Sequence, residues 1–290
     1  MSRPSRAGVL RTLLAAGPPV VAPGVFDGLS ARLAEQAGFS ALYASGGAIA
    51  RSAGLPDLGL LSATEMLERI RVIVEATGLP VVADADTGYG GPLNVARTVA
   101  ALERAGVAAL HLEDQAFPKR CGHLDGKRLV STGEMCARLR AARDGLSDPD
   151  TVLIARTDAI AVEGIEGALA RAAAYREAGA DMAFVEAPTT TGEIEAVARL
   201  PGWKMLNMFD GGRTPLVPLD RLEALGFQLV IVPGDLQRAA LHAMRRALLC
   251  LKQHGHTAPL RADMASFEER EAVVGTAAML ERERRCGKPS

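Results

Sequence analysis

Arg104-Ala105-Gly106-Val107-Ala108-Ala109-Leu110-His111-Leu112-Glu113-Asp114 is the stretch on which the fold turns. A run of helix formers stops at a glycine, a short apolar segment follows, and two carboxylates close it. Glycine suits the left-handed residue just past a helix end. A short apolar run between helices is what a strand buried on both faces looks like. The unit recurs. Gln36-Ala37-Gly38 leads to the run 41–44, Glu177-Ala178-Gly179 to 182–185, and Leu225-Gly226 to 228–232. Extending the pattern predicts strands at 20–24, 41–45, 80–85, 108–113, 152–156, 182–186, 204–208 and 228–232. Helices are predicted near 27–37, 62–77, 94–105, 131–144, 166–178, 190–199, 217–225 and 236–254. Eight such βα units predict an α/β chain folded as a TIM-type (β/α)8 barrel. A doubly wound open sheet is the rival, and no GxGxxG fingerprint follows the first strand to support it.

The chain has 290 residues and a formal net charge of −1, with 33 Lys and Arg mixed among 34 Asp and Glu. Nothing in that balance suggests a nucleic-acid or membrane surface as partner. No apolar run is long enough to span a bilayer. The basic start Met1-Ser2-Arg3-Pro4-Ser5-Arg6 precedes an apolar stretch broken by Gly17-Pro18-Pro19, and no signal peptide is expected. Four scattered cysteines, 121, 136, 250 and 286, show no framework spacing, which predicts reduced thiols in a cytoplasm. A single barrel domain over 1–290 is expected, with 256–290 as a C-terminal helical extension. The segment from Phe267 to Arg285 is surplus to the barrel and heavily charged. It can lie on the surface or pack on a neighbouring subunit.

In a TIM barrel the active site lies at the C-terminal ends of the strands. Polar groups stand at nearly every one. Strand 2 ends in Tyr43-Ala44-Ser45-Gly46-Gly47 and strand 3 in Asp84-Ala85-Asp86-Thr87-Gly88. Strand 4 ends in Glu113-Asp114 and strand 5 in Arg156-Thr157-Asp158. Glu186, Asn207 and Pro233-Gly234-Asp235 follow strands 6, 7 and 8. Chance placement does not produce this, so the chain reads as an enzyme. Asp84 and Asp86 are two apart on extended chain and can face the same way. Carboxylates that close repel unless a cation or base joins them, which favours a hard metal such as Mg²⁺. Glu113 is the matching acid on the next strand, or a rim salt bridge. Arg156 can pair with one of these acids or offer its fork to a substrate carboxylate. Ser45-Gly46-Gly47 presents backbone N–H groups that can close on an oxyanion, although most Gly-Gly pairs are turns. Cys121 sits in a polar loop, Lys119-Arg120-Cys121-Gly122-His123, where flanking cations favour a titratable thiol over an inert one. His111, inside strand 4, reads as a satisfied barrel residue.

These motifs, with Gly54-Leu55-Pro56-Asp57, Ala155-Arg156-Thr157-Asp158-Ala159 and Thr214-Pro215, resemble the isocitrate lyase/phosphoenolpyruvate mutase superfamily over almost the whole chain. The resemblance implies a TIM-type barrel whose last helix is exchanged between subunits of a homotetramer, a dimer of helix-swapped dimers. It implies Asp84 as direct Mg²⁺ ligand (Mn²⁺ being the alternative metal), with Asp57, Asp86 and Glu113 holding the metal or its waters. Ser45, Gly46, Gly47 and Arg156 would bind the oxo-acid end of a small dicarboxylate or tricarboxylate. Glu186, Asn207, Gly122 and His123 would face the other carboxylate, and Cys121 resembles the catalytic cysteine of the lyase branch.

Phosphonate-forming members usually lack this cysteine, so the loop implies carbon–carbon cleavage. The substrate would be of the 2,3-dimethylmalate, 2-alkylmalate or 2-methylisocitrate type. Tyr43 or a carboxylate-held water would take the hydroxyl proton. Lys119, His123 and Asn207 would stabilise the leaving carbanion, and Cys121 would protonate it. After Asn207 the chain reads Met208-Phe209-Asp210-Gly211-Gly212. That is closer to the Glu-Gly-Gly-like stretch of dimethylmalate-, petal-death- and oxaloacetate-acting members than to the Glu-Phe-Gly-like stretch of methylisocitrate lyases. Asp210 departs from that glutamate. Pro233 stands where oxaloacetate hydrolases are expected to carry serine. Oxaloacetate decarboxylation or hydrolysis and a phosphonopyruvate-type rearrangement are the alternatives on the same site, and a non-catalytic barrel is the last.

Overall fold

The computed structural model describes residues 5–287; the basic residues 1–4 and the last three residues of the expected extension lie outside the described residues. Helix α1 (Arg6–Ala15) comes first. Then β1 (Val20–Val25), α2 (Gly28–Gln36), β2 (Leu42–Ala44), α3 (Gly46–Ser52), α4 (Ala63–Ala76), β3 (Val81–Asp84), α5 (Pro92–Ala105) and β4 (Ala109–Glu113) follow. The second half continues with α6 (Thr132–Gly145), β5 (Val152–Thr157), α7 (Ile160–Glu177), β6 (Met182–Val185), α8 (Thr191–Ala198), β7 (Trp203–Asn207), α9 (Leu219–Ala224) and β8 (Leu229–Val232). The eight strands are parallel and close in sequence order, β8 pairing back onto β1. All eight predicted strands are present, within a residue or two of their expected ends.

Helices α1, α3 and α7 depart from expectation. Helix α1 was not predicted, and α3 occupies chain that reads as a Gly-Gly turn. Ser45 caps α3, its hydroxyl accepting from Ala48 N at 3.3 Å. The two glycines that open it carry poor helix propensity, so the cap rather than the composition starts it. Helix α7 begins earlier than predicted, with a break at Gly164 (φ 75°).

Strand alternation explains where the core stops and the site begins. Val20 and Ala22 of β1, Val82 of β3, Ala109 of β4, Ile154 of β5, Phe184 of β6, Met205 of β7 and Ile231 of β8 form one buried cluster with Leu10 and Leu14 of α1. Helix α1 therefore closes the N-terminal end of the barrel with apolar side chains. Stepping on by two residues from these interior positions reaches Asp84, His111, Arg156, Glu186 and Asn207. The same face that is apolar below is polar at the C-terminal mouth. Outside the strands, Met66, Ile70 and Ile73 of α4, Val95 and Val99 of α5 and Leu139 of α6 are buried in a second cluster. Each such side chain contributes about 1.5–3 kcal/mol of transfer free energy. A capping box fixes the start of α4: Ser62 Oγ accepts from Glu65 N, and Ser62 N donates to Glu65 Oε2 at 2.8 Å.

By internal contacts the chain divides between Leu236 and Gln237. The C-terminal unit holds most of α10 (Asp235–His254), a 3₁₀ turn (Ala258–Asp263), α11 (Phe267–Val274) and α12 (Thr276–Cys286). The surplus segment from Phe267 to Arg285 thus forms two helices, parted at Gly275 (φ 75°). Helix α10 exposes Leu241, Met244, Leu248, Leu249 and Leu251. Among the described residues no helix is long and apolar enough to cross a membrane.

Candidate active site

The C-terminal mouth of the barrel gathers most of the polar residues singled out from the sequence into one network. On the β2–β3 side, the Tyr43 hydroxyl donates to Asp84 Oδ2 at 3.3 Å and lies 2.8 Å from His111 Nε2. Asp84 Oδ1 accepts from Asp86 N at 3.0 Å. A Cβ at Gly46 would fall 2.5 Å from Asp84 Oδ2, and one at Gly47 would fall 2.8 Å from Asp57 Oδ2. The glycines therefore bring the N-terminus of α3 directly onto two carboxylates. This settles the Gly-Gly pair as a close-approach element and not a plain turn.

Lys119 reaches into the acids from the loop after β4. Its Nζ is 2.5 Å from Asp57 Oδ1 and 2.7 Å from Asp86 Oδ1. Burial works against its charge, but Asp86, Glu113, Asp57 and Asp84 outweigh that and hold it firmly protonated. Lys119 is thus engaged with Asp57 and Asp86.

Across the mouth, Arg156 donates to both oxygens of Asp158, at 2.9 and 3.1 Å. It also lies 3.4 Å from Glu113 Oε2 and 4.0 Å from Glu186 Oε2. Arg156 thus pairs with acids at the mouth of the barrel. Glu186 accepts from Asn207 Nδ2 at 3.1 Å, and its Oε1 is 3.1 Å from His123 Nε2. His123 Nδ1 accepts from Arg213 N at 3.1 Å, and its ring meets Phe209 edge-on at 4.7 Å. The segment after Asn207 therefore packs on the loop that carries Cys121. A Cβ at Gly122 would fall 2.4 Å from Glu186 Oε1 and 2.6 Å from Arg156 Nη2. Pro233 directly follows β8, its backbone against Gly24 near the end of β1.

Burial and charge set the protonation states. Burial raises Asp84, but His111, Lys119 and Arg156 outweigh it and hold it down at about 2. Burial pushes His111 down to about 4, so its ring is neutral at pH 7. Burial, reinforced by Asp84, pushes the Tyr43 phenol well above its ordinary value. Tyr43 is therefore a proton donor to Asp84. Glu113 is driven well above the usual carboxylate range by burial, which Arg156 only partly offsets. Cys121 is raised by burial and by Asp57, so the thiol is neutral despite its cationic flanks. Asp86, Tyr89 and Ala187 hold positive φ of 47°, 61° and 57°, all at strand ends of this mouth. Backbone strain of this kind gathers at working sites.

The carboxylates fit a hard divalent cation. Both oxygens of Glu113 are buried without a hydrogen bond, and Asp86 Oδ1 has Lys119 as its partner. Among the described residues five carboxylates (Asp57, Asp86, Glu113, Asp158 and Glu186) pair with three cations, Lys119, Lys127 and Arg156, and Asp84 faces His111. Among the described residues no three His, Cys, Asp or Glu side chains are grouped as a ready-made metal site.

Sequence reasoning missed three participants. His111 is a buried, hydrogen-bonded barrel residue as expected, and its contacts with Tyr43 and, at 3.6 Å, with Asp84 Oδ1 bring it into the site as well. Asp158 was quoted without a role and is the main partner of Arg156. Lys127 went unremarked, and its Nζ is 3.2 Å from Asp158 Oδ1. A buried lysine in a polar loop leaves no signal in a single sequence.

The profile of the phosphoenolpyruvate phosphomutase family matches residues 10–251. The chain is 44% identical over 271 residues to 2,3-dimethylmalate lyase of Eubacterium barkeri, covering 93% of this chain and 94% of that protein. It is 43% identical over 269 residues to 2-methylisocitrate lyase of Bacillus subtilis (strain 168), covering 92% and 89%. Among solved structures, oxaloacetate acetylhydrolase in complex with 3,3-difluorooxalacetate superposes with a TM-score of 0.92 at 38% identity, covering 99% of this chain and 98% of that one. Phosphonopyruvate hydrolase in complex with oxalate and Mg²⁺ superposes with a TM-score of 0.89 at 33% identity, covering 98% and 100%.

Proposed function

The chain belongs to the phosphoenolpyruvate phosphomutase family, and from that premise we propose that it is a Mg²⁺-dependent carbon–carbon lyase. Its substrate would be a 2-hydroxy dicarboxylate or tricarboxylate of the 2,3-dimethylmalate, 2-alkylmalate or 2-methylisocitrate type, split to an oxo acid and a carboxylate. The observation that carries the reading is one mouth holding two kinds of group: carboxylates with unsatisfied oxygens, and a neutral thiol on a loop seated against Glu186 and Arg156. Members that act without carbon protonation have no need of that thiol.

Asp84 would hold the metal directly, with Asp57, Asp86 and Glu113 holding it or its waters; Mn²⁺ would suit the same oxygens. Bound there, the metal would lower the cost of ionising the substrate hydroxyl, whose proton would pass to Tyr43 or to a water held by one of the carboxylates. The N-terminal amides of α3 at Gly46 and Gly47 would orient the oxo-acid end with Arg156. His123, Asn207 and the Gly122 backbone would face the distal carboxylate, where negative charge grows as the carbon–carbon bond breaks. Cys121 would then give its proton to carbon, a step that requires the neutral thiol. Lys119, held between Asp57 and Asp86, would offset charge on the metal side. Cys121→Ser should reduce cleavage by at least about 10²-fold, with Mg²⁺ binding retained. Full turnover by that variant would remove Cys121 from the reaction.

Oxaloacetate hydrolysis is the second reading, supported by the likeness to oxaloacetate acetylhydrolase. The C-terminal unit would pack on a second copy of the chain within a homotetramer, a reading supported by the exposed apolar side chains of α10. Sedimentation of a monomer at micromolar concentration would contradict it. The four unpaired cysteines support a cytoplasmic setting.

A further inference from the structure

We infer that Gln115 and Lys127 form a two-point clamp on the backbone that carries Cys121 and are positioning residues for its thiol. The inference rests on reading Cys121 as the group that meets substrate. The loop leaves β4 and closes on its own stem, where Gln115 and Leu129 form an antiparallel bridge. Ala116 N donates to Arg128 O at 2.7 Å, and Val130 N to Asp114 O at 2.9 Å. From this stem two buried side chains reach forward. Gln115, 1% exposed, spends both ends of its amide on one residue. Its Nε2 donates to Arg120 O at 2.8 Å, and its Oε1 accepts from Arg120 N at 2.9 Å. Lys127 donates to the Gly122 carbonyl and to Asp158, with its side chain only 1% exposed. The residues on either side of Cys121 are each held, and Cys121 N itself donates to Asp57 O at 3.2 Å.

An antiparallel stem closes a loop without such contacts, and exposed loop backbone is ordinarily satisfied by water. Burying a lysine and a glutamine to hold backbone costs desolvation and side-chain entropy. What it gives is a fixed position. Lys127 also ties that position to the rest of the mouth, because Asp158 takes both the lysine and the fork of Arg156. Gly122 has no slack against Glu186 and Arg156. The clamp therefore sets the thiol in register with the groups that face the substrate.

The test alkylates the full-length protein with iodoacetamide at pH 8 and follows each cysteine by peptide mass spectrometry. Lys127→Met and Gln115→Leu are compared with the parent. Exposed Cys286 sets the solvent-limited rate, and buried Cys136 reports loss of the fold. Each variant should react at Cys121 about ten- to hundredfold faster, the order expected when buried or charged hydrogen bonds are lost, while Cys136 stays protected. Lys127→Arg, which keeps the charge and the donors, should return toward the parent rate. Unchanged Cys121 reactivity in both variants would overturn the clamp. So would Cys136 accelerating in step, which would make the two residues supports of the whole fold. No turnover is needed, so this test stands apart from the lyase reading, which fails instead if the parent protein cleaves none of the candidate acids.

Discussion

Lys119 Nζ lies 2.7 Å from Asp86 Oδ1, so the loop after β4 delivers a cation into the carboxylates that follow β3. Asp57 takes the same ammonium from the other side. Removing one partner of a buried pair leaves the other charge unpaired, at a cost of about 3–5 kcal/mol. Lys119→Met should lose stability of that order in chemical denaturation without metal. Added Mg²⁺ should recover more of it in the variant than in the parent, since the carboxylates then lack their lysine. Equal stability of variant and parent would show that the pair contributes nothing.

The Cys121 thiol is held above the ordinary value by burial and by Asp57. A free thiol ionises near ~8.5, and only the thiolate alkylates. Iodoacetamide should therefore react slowly with Cys121 at pH 7, and the rate should still be climbing above pH 9. If Cys121 donates a proton to carbon, turnover should hold through pH 8 and decline only as that thiol ionises. A reaction rate already level at neutral pH would mean a thiolate, and a nucleophile in place of an acid.

His111 links pH to stability. It titrates at about 4 in the fold, against 6.5 for an unperturbed imidazole. Between those values the unfolded chain binds a proton that the native protein does not, so stability rises with pH across that window. The full contribution is present above pH 6.5 and is lost as pH falls toward 4, amounting to about 3 kcal/mol. His111→Gln should flatten that slope in urea denaturation between pH 4 and 6.5. The effect of Asp84 falls lower, between its ordinary 3.8 and about 2, and has the same sign. A slope unchanged by the substitution would place the titration elsewhere.

The barrel was legible because its strands are buried on both faces and glycines mark the helix ends before them. Asp84, Glu113, Arg156, Glu186 and Asn207 were legible as polar residues where apolar runs stop. What was hidden depends on the path of the chain. Helix α3 opens on two glycines, which composition assigns to a turn. His111 meets Tyr43 only because β4 and β2 curve around one interior, 68 residues apart in sequence. Gln115 and Lys127 act through loop backbone, and Asp125-Gly126-Lys127-Arg128 reads as exposed polar chain. The fold buries that lysine by folding the loop onto its own stem.

Product analysis of the purified protein with Mg²⁺ tests the central claim most directly. The panel is 2,3-dimethylmalate, 2-methylisocitrate, isocitrate, oxaloacetate and phosphonopyruvate, each with and without EDTA. The account predicts metal-dependent cleavage of a 2-hydroxy acid on that panel to one oxo acid and one carboxylate, with solvent deuterium entering the carboxylate at the carbon that left. Turnover of oxaloacetate or phosphonopyruvate alone, with no carbon–carbon cleavage of any hydroxy acid, would contradict it.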